Sequence, residues 1–344
     1  MRHFVPHSRL SGLFPLACRL TESSTMSLSL PDRWVWDFWF AHDGDEVHVF
    51  YLQAPRSLGD PELRHHNATI GHAVSRDLRS WEVLPDALGP GADGEFDSLA
   101  TWTGSVVRHA GEWHMFYTGV SRAEEGKVQR VGVATSSDLV TWTKQGMLLE
   151  ADPRWYERLH AGVREEAWRD PWVWHEPSTG RFHMLLTARA NHGPIDGRGV
   201  VGHAVSDDLR TWEALPPVSE PGEFYHLEVP QLVHLGGAWR VAFCLTAADH
   251  SAARRARPGF VAEGGTHVLT GAGPLGPFEL EEGPFLLGDP HASLYAGRFV
   301  EHDGAWFLMA WEHVDVDGAF VGRLSDPMPV SVGADGRITV VRPS

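Results

Sequence analysis

The chain has 344 residues, with 45 acidic against 29 basic side chains, a formal charge of −16 with histidine neutral, and two cysteines. That balance excludes a disulfide scaffold and argues against binding to a nucleic-acid backbone or an anionic membrane surface, both of which want a basic face. No run of about 18 apolar residues occurs, which excludes a helical membrane span.

Residues 1–30 place Arg2, Arg9 and Arg19 around short apolar pieces, a pattern too broken for a secretory signal. They are expected to be a disordered leader or a start-site artefact ahead of Met26, and the protein to be cytoplasmic. Cys18 then has no structural role, and Cys244 inside VAFCLT reads as a buried strand thiol.

From residue 31 to 344 one repeat fills the chain, and it is expected to form a single domain. A turn followed by an apolar strand recurs as HDGDEVHVFYL, HAGEWHMFYTG, PSTGRFHMLLT, LGGAWRVAFCL and HDGAWFLMAWE, with turn glycines Gly44, Gly111, Gly180, Gly236 and Gly304. A second element with a Ser-Asp-Leu turn follows the first three, as in GHAVSRDLRSW, and weaker copies follow the last two. Each unit reads as four antiparallel strands rich in β-branched and aromatic residues. Such sheets bury both faces when packed radially, which predicts an all-β, five-bladed β-propeller of four-stranded blades.

In a propeller the first strand of each blade lines the central channel. Counting back from the turn glycines gives strands over 34–40, 100–107, 168–174, 227–233 and 293–300. These bring Asp37, Thr103, Asp170, Glu228 and Tyr295 to roughly equivalent positions at one end of the axis. Three of the five are carboxylates within apolar segments. Holding them together forces at least one to shift its pKa, and glycoside hydrolysis uses such a pair, one ionised and one protonated. Trp36, Trp39 and Trp102 are expected to offer flat faces to a sugar. His226, two residues before Glu228, is expected on the same side of its strand. The remaining histidines lack ligand spacing, so no metal and no cofactor is expected. Loops 55–68, 121–130, 152–166, 190–198 and 248–264 form the expected rim, where the basic run 251–258 would wall an outer subsite, contact a subunit, or simply be solvated.

The segments WVWDFWF, TWTGSVV, WRDPWVW, LEVPQL and GHAVSRDLRSWEVLP resemble the motifs of clan J five-bladed propeller glycosidases, above all glycoside hydrolase family 32. Arg169-Asp170-Pro171 is similar to a triplet shared by families 32 and 68, Glu228-Val229-Pro230 to E-C-P, and Thr103-Gly104-Ser105 to S-G-S. The resemblance implies Asp37 as nucleophile, Glu228 as acid/base and Asp170 as transition-state stabiliser. Thr103, Ser105, Arg169, His226 and Tyr295 would join the tryptophans in binding substrate. It further implies a retaining mechanism, for which the two reacting carboxyls stand about 5 to 5.5 Å apart. Asp37 sits in a surround closer to the V-W-D-S-W of family 68. Leu52 and Ile70 replace an expected glutamine and tryptophan, and no residues remain for a C-terminal β-sandwich. A short oligosaccharide is the expected substrate, a β-fructofuranoside above others. The alternatives are a fructosyltransferase, an arabinofuranosidase-type enzyme and a catalytically silent sugar-binding propeller. An apolar patch on the side a sandwich would cover would support a homodimer.

Overall fold

Residues 28–342 are described in a computed structural model, so the leader, up to residue 27, and Cys18 lie outside the described residues. Five antiparallel sheets follow one another along the chain. The first three are simple four-stranded meanders with innermost strands Arg33–Asp43, Ala100–His109 and Trp168–Glu176. The fourth begins at Glu228–Leu235 and the fifth at Leu294–His302. The innermost strands touch in cyclic order, one to two, two to three, three to four, four to five and five back to one. The predicted five-bladed propeller is therefore the observed fold.

Every blade is one continuous stretch of chain. The ring closes by contacts between the first and last blades: Leu324 donates its backbone N–H to Leu28 at 3.0 Å, and Arg56 reaches the Val321 carbonyl at 3.2 Å. The weaker repeats have their own form. Blade four gains a short strand, Leu287–Asp289, against Gly264–Gly271, and blade five splits its third position between Phe320–Leu324 and Met328–Val332.

Two local devices recur where the repeat placed them. The five turn glycines have φ of 62°, 87°, 69°, 60° and 74°, the left-handed conformation a tight hairpin turn requires. In the Ser-Asp-Leu turns, Asp77, Asp138 and Asp208 accept the N–H groups two and three residues on. The leucines that follow, Leu78, Leu139 and Leu209, take φ of 59°, 63° and 62° and are buried. Burial of the leucine compensates a conformation its Cβ disfavours. The second and third of these turns also aim a tryptophan at the previous blade. Trp142 stands edge-on to Phe50 and Trp212 edge-on to Phe116, both at 5.6 Å between centroids. The core lies in four clusters between neighbouring sheets.

Candidate active site

All five innermost strands slip register at the same height. The ladders shift between Trp36 and Phe38, between Trp102 and Gly104, and around Asp170-Pro171, Val229-Pro230 and Ala296-Gly297. Each is a β-bulge, an extra residue that bends the strand and re-aims one side chain. Asp170, Val229 and Ala296 have φ of 58°, 53° and 49°. Such a value is an outlier for a β-branched valine, so the Val229 turn is held by its surroundings. Gly104 is required at its bulge, because a Cβ there would lie 2.1 Å from the Phe116 carbonyl oxygen.

The bulges turn Asp37, Thr103, Asp170, Glu228 and Tyr295 into one cavity of about 730 Å³ at the end of the axis. Asp37 is gripped by neutral donors: Thr103 donates to Oδ2 at 2.7 Å and the Trp311 indole to Oδ1 at 2.9 Å. Burial pushes its carboxyl above the usual range, Thr103 and Trp311 pull it back, and the charge of Glu228 raises it further. Asp170 accepts from the Thr187 hydroxyl at 2.7 Å and the Val229 N–H at 3.1 Å. Burial pushes it up to about 6 against the opposing charge of Arg169, and Asp37 adds to the rise. Glu228 accepts from Arg169 at 2.6 Å on one oxygen and from the Tyr295 hydroxyl at 2.5 Å on the other. Burial holds the Tyr295 phenol protonated. Its rotatable hydroxyl can donate to a carboxylate or accept from a carboxylic acid, so it suits either state of Glu228.

Of the other expected site residues, Trp36, Trp102, Arg169 and His226 line the cavity. His226 Nδ1 stands 3.3 Å from Arg169 and 3.8 Å from Glu228. Burial, with Arg169 beside it, holds the imidazole well below its usual range and therefore neutral. Trp39 and Ser105 are placed elsewhere. Trp39 is fully buried, stacked on Phe50 inside blade one, and Ser105 is buried and accepts the Val173 N–H at 3.1 Å. Each stands two residues after an inward-facing one, where plain alternation puts it on the cavity side. On every innermost strand the cavity lining stops at the bulge, and both residues lie past it, too deep along the axis to reach the cavity. His226 precedes its bulge, so the two-residue rule holds there.

The rim comes from the expected loops 55–68, 121–130, 152–166 and 248–264, through Arg64, Lys127, Glu165 and Asp249 among others, whereas 190–198 contributes no lining residue. Leu52 is part of the wall; Ile70 is buried behind it. The basic run 251–258 does not reach the cavity. Arg254 and Arg257 clamp Glu223, and Arg255 caps the carbonyls of residues 247, 248 and 250. Taking the polar residue at the equivalent position of each innermost strand does not reach Trp311, which lies on a second strand, or Arg298, which follows Tyr295 on its own strand. Among the described residues no group of three or more His, Cys, Asp or Glu is arranged to hold a metal.

The model of the glycosyl hydrolases family 32 N-terminal domain matches residues 39–266, a span that holds Asp170 and Glu228 and starts two residues after Asp37. The sucrose-6-phosphate hydrolase of Escherichia coli is 28% identical over 302 residues, 83% of this chain and 56% of its own. That of Zymomonas mobilis is 33% identical over 171 residues, 48% of this chain and 30% of its own. The chain thus spans about half or less of the length of these relatives. Inulosucrase from Halalkalicoccus jeotgali bound to kestose has the same fold, with a TM-score of 0.72 at 22% identity over 90% of this chain and 87% of its own. With two thirds of its length matched by one family model, this chain belongs to glycosyl hydrolases family 32.

Proposed function

We propose that the protein is a retaining glycoside hydrolase acting on a short β-fructofuranoside. The observation that carries this reading is the unequal bonding of two carboxylates in one cavity. Asp37 is held by Thr103 and Trp311, which fix its orientation without adding a full positive charge. Such a carboxylate stays nucleophilic and can attack the anomeric carbon. Glu228, with the adaptable Tyr295 hydroxyl on one oxygen, is suited to give a proton to the leaving oxygen and to take one from the incoming water. Asp170, between Thr187 and Val229, would accept hydroxyls of the bound sugar and stabilise the positive charge that develops on the ring. Trp36 and Trp102 supply apolar faces beside them. The relatives' names as sucrose-6-phosphate hydrolases support the fructosyl substrate. We place the enzyme in the cytoplasm, where a free buried Cys244 is under no pressure to pair.

The test is to incubate the full chain with sucrose, inulin and levan oligomers, and nitrophenyl arabinofuranoside, and to follow free fructose, transfer products and the anomer first released. Fructose released with retained configuration is expected. D37A and E228A are each expected to lower kcat by at least about 10³-fold. Full activity in both variants would defeat the assignment, and binding of all these sugars without turnover would defeat the enzymatic reading altogether.

A further inference from the structure

Beneath the cavity floor lies a guanidinium that the catalytic scheme does not use. Arg298, on the innermost strand of blade five, is fully buried, three residues past Tyr295. Its Nε donates to the Phe38 carbonyl at 3.2 Å, and Phe38 is the residue after Asp37. Its Nη1 donates to the Pro230 carbonyl at 2.9 Å, and Pro230 is two residues after Glu228. Its Cζ lies over the Trp172 ring, 5.3 Å from the centroid, and Trp172 is two residues after Asp170. One side chain thus touches the three innermost strands that carry the carboxylates, each time just past the bulge. Among the described residues its Nη2 has no hydrogen-bond partner. A buried cation without a paired carboxylate is costly, and the cost is offset where anionic groups lie within its field. Asp170 and Asp37 are those groups.

We propose that Arg298 is a positioning residue for the carboxylate floor: its fork fixes the strands bearing Asp37 and Glu228 relative to each other, and its charge balances the repulsion among Asp37, Asp170 and Glu228. The groups facing Asp37 make the balance explicit. Arg298 is the cation acting on it; Glu228 and Asp170 are anionic neighbours; Thr103 and Trp311 are neutral donors; and the buried Cys244 thiol lies near enough to feel its charge. Burial depresses even the Arg298 guanidinium, to about 10, which leaves it charged at any working pH. Losing it leaves Asp37 in a cluster of anions with only neutral donors.

This inference rests on the catalytic reading for its kinetic consequences but not for its direct readout. The Trp311 indole N–H bonds Asp37, so its ¹⁵N–¹H resonance, assigned by its absence in W311F, reports the ionisation of Asp37 without substrate. The experiment compares the full-length wild type, R298M and R298K. In R298M the Trp311 resonance is expected to titrate about 1 unit or more higher than in the wild type. R298K keeps the charge but not the fork, so its titration is expected within about 0.3 units of the wild type, with kcat about 10-fold down and KM within about 3-fold. An unmoved titration in a folded R298M overturns the electrostatic role. Wild-type kcat in R298K overturns the positioning role. Failure of both variants to fold would make Arg298 a structural residue only, and that too overturns the proposal. If the titration shifts while no sugar is turned over by any form, the balance stands and the fructosidase reading fails.

Discussion

The backbone N–H of Val229 donates to Oδ2 of Asp170 at 3.1 Å, so the residue that follows Glu228 in blade four holds the carboxylate of blade three. Val229 adopts φ 53° to do this, and Asp170 itself sits at 58°. Two unfavourable backbone conformations face each other across a blade boundary, and one hydrogen bond joins them. Backbone conformation and carboxylate placement are therefore one arrangement, and its energetic cost is measurable.

Asp170 should destabilise the fold when ionised. Its folded pKa of about 6 stands above the unfolded value of 3.8, so the stability it contributes is full below pH 3.8 and is lost as pH rises through 6. Above that the cost is as much as about 3 kcal/mol, from 1.36 kcal/mol per unit. D170N keeps an oxygen for Thr187 and Val229 and removes the charge. Its Tm should exceed that of the wild type at pH 7.5 and converge with it by pH 4, while activity collapses. A wild type equally stable or more stable at pH 7.5 would contradict this.

The same cluster shows what the sequence carried openly. The five innermost strands, the turn glycines and the inward placement of Asp37, Thr103, Asp170, Glu228 and Tyr295 follow from counting along a repeat, because each blade solves the same packing problem with the same spacing. Trp39 and Ser105 lie past the bulges at which the cavity lining ends, and nothing in WVWDFWF marks where the ladder slips. Gly104 does mark one, through the missing Cβ. Trp311 and Arg298 come into view only when strands from different blades are set side by side, since their partners Asp37 and Phe38 are more than 250 residues away.

Trp311 should tune the Asp37 carboxyl. Its indole bond lowers the Asp37 carboxyl against the rise caused by burial. In W311F that support is gone, so the acidic limb of kcat/KM should move to higher pH. A hydrogen bond to a charged group contributes about 1.5–3 kcal/mol, part of which water entering the cavity restores, so kcat/KM at neutral pH should fall roughly 10-fold. An unchanged limb with only a raised KM would mean that Trp311 merely shapes the cavity.

Two buried imidazole pairs predict loss of stability in mild acid. His48 meets His72 at 2.8 Å, and His183 meets His203 at 2.9 Å, at equivalent places in blades one and three. Burial pushes His72 down to about 3 and His203 to about 4, and the neighbouring imidazole lowers each further. A histidine with a depressed folded pKa costs nothing above 6.5 and destabilises increasingly below it. By pH 4.5 each of these two should cost about 2.5 kcal/mol. Asp170 acts in the opposite direction over part of that range, so the test is a difference: Tm of H48F/H72F minus that of the wild type should rise as pH falls from 6.5 to 4.5. A flat difference would show that the pair is already open to water.

Glu157 should anchor the wall that carries the cavity's charged rim. It is buried and takes Arg189 at 2.6 Å, Arg198 and His160. Arg189, also buried, spends its remaining donors on the carbonyls of Tyr225 and Ile195, both at 2.7 Å. One ion cluster thus ties loop 152–166, which bears Arg164 and Glu165, to loop 190–198 and to the residue before His226. Neutralising one member of a buried pair leaves the other charge uncompensated, at about 3 kcal/mol or more. E157Q should therefore lower stability by that amount, speed hydrogen exchange across 152–166 and 190–198, and leave blades one and five as protected as before. The partly exposed clamp at Glu223, where Arg257 is half in solvent, is the control: E223Q should cost less than about 1 kcal/mol and leave loop 152–166 unchanged. Equal losses in the two variants would mean that the wall is held by packing rather than by its buried charges.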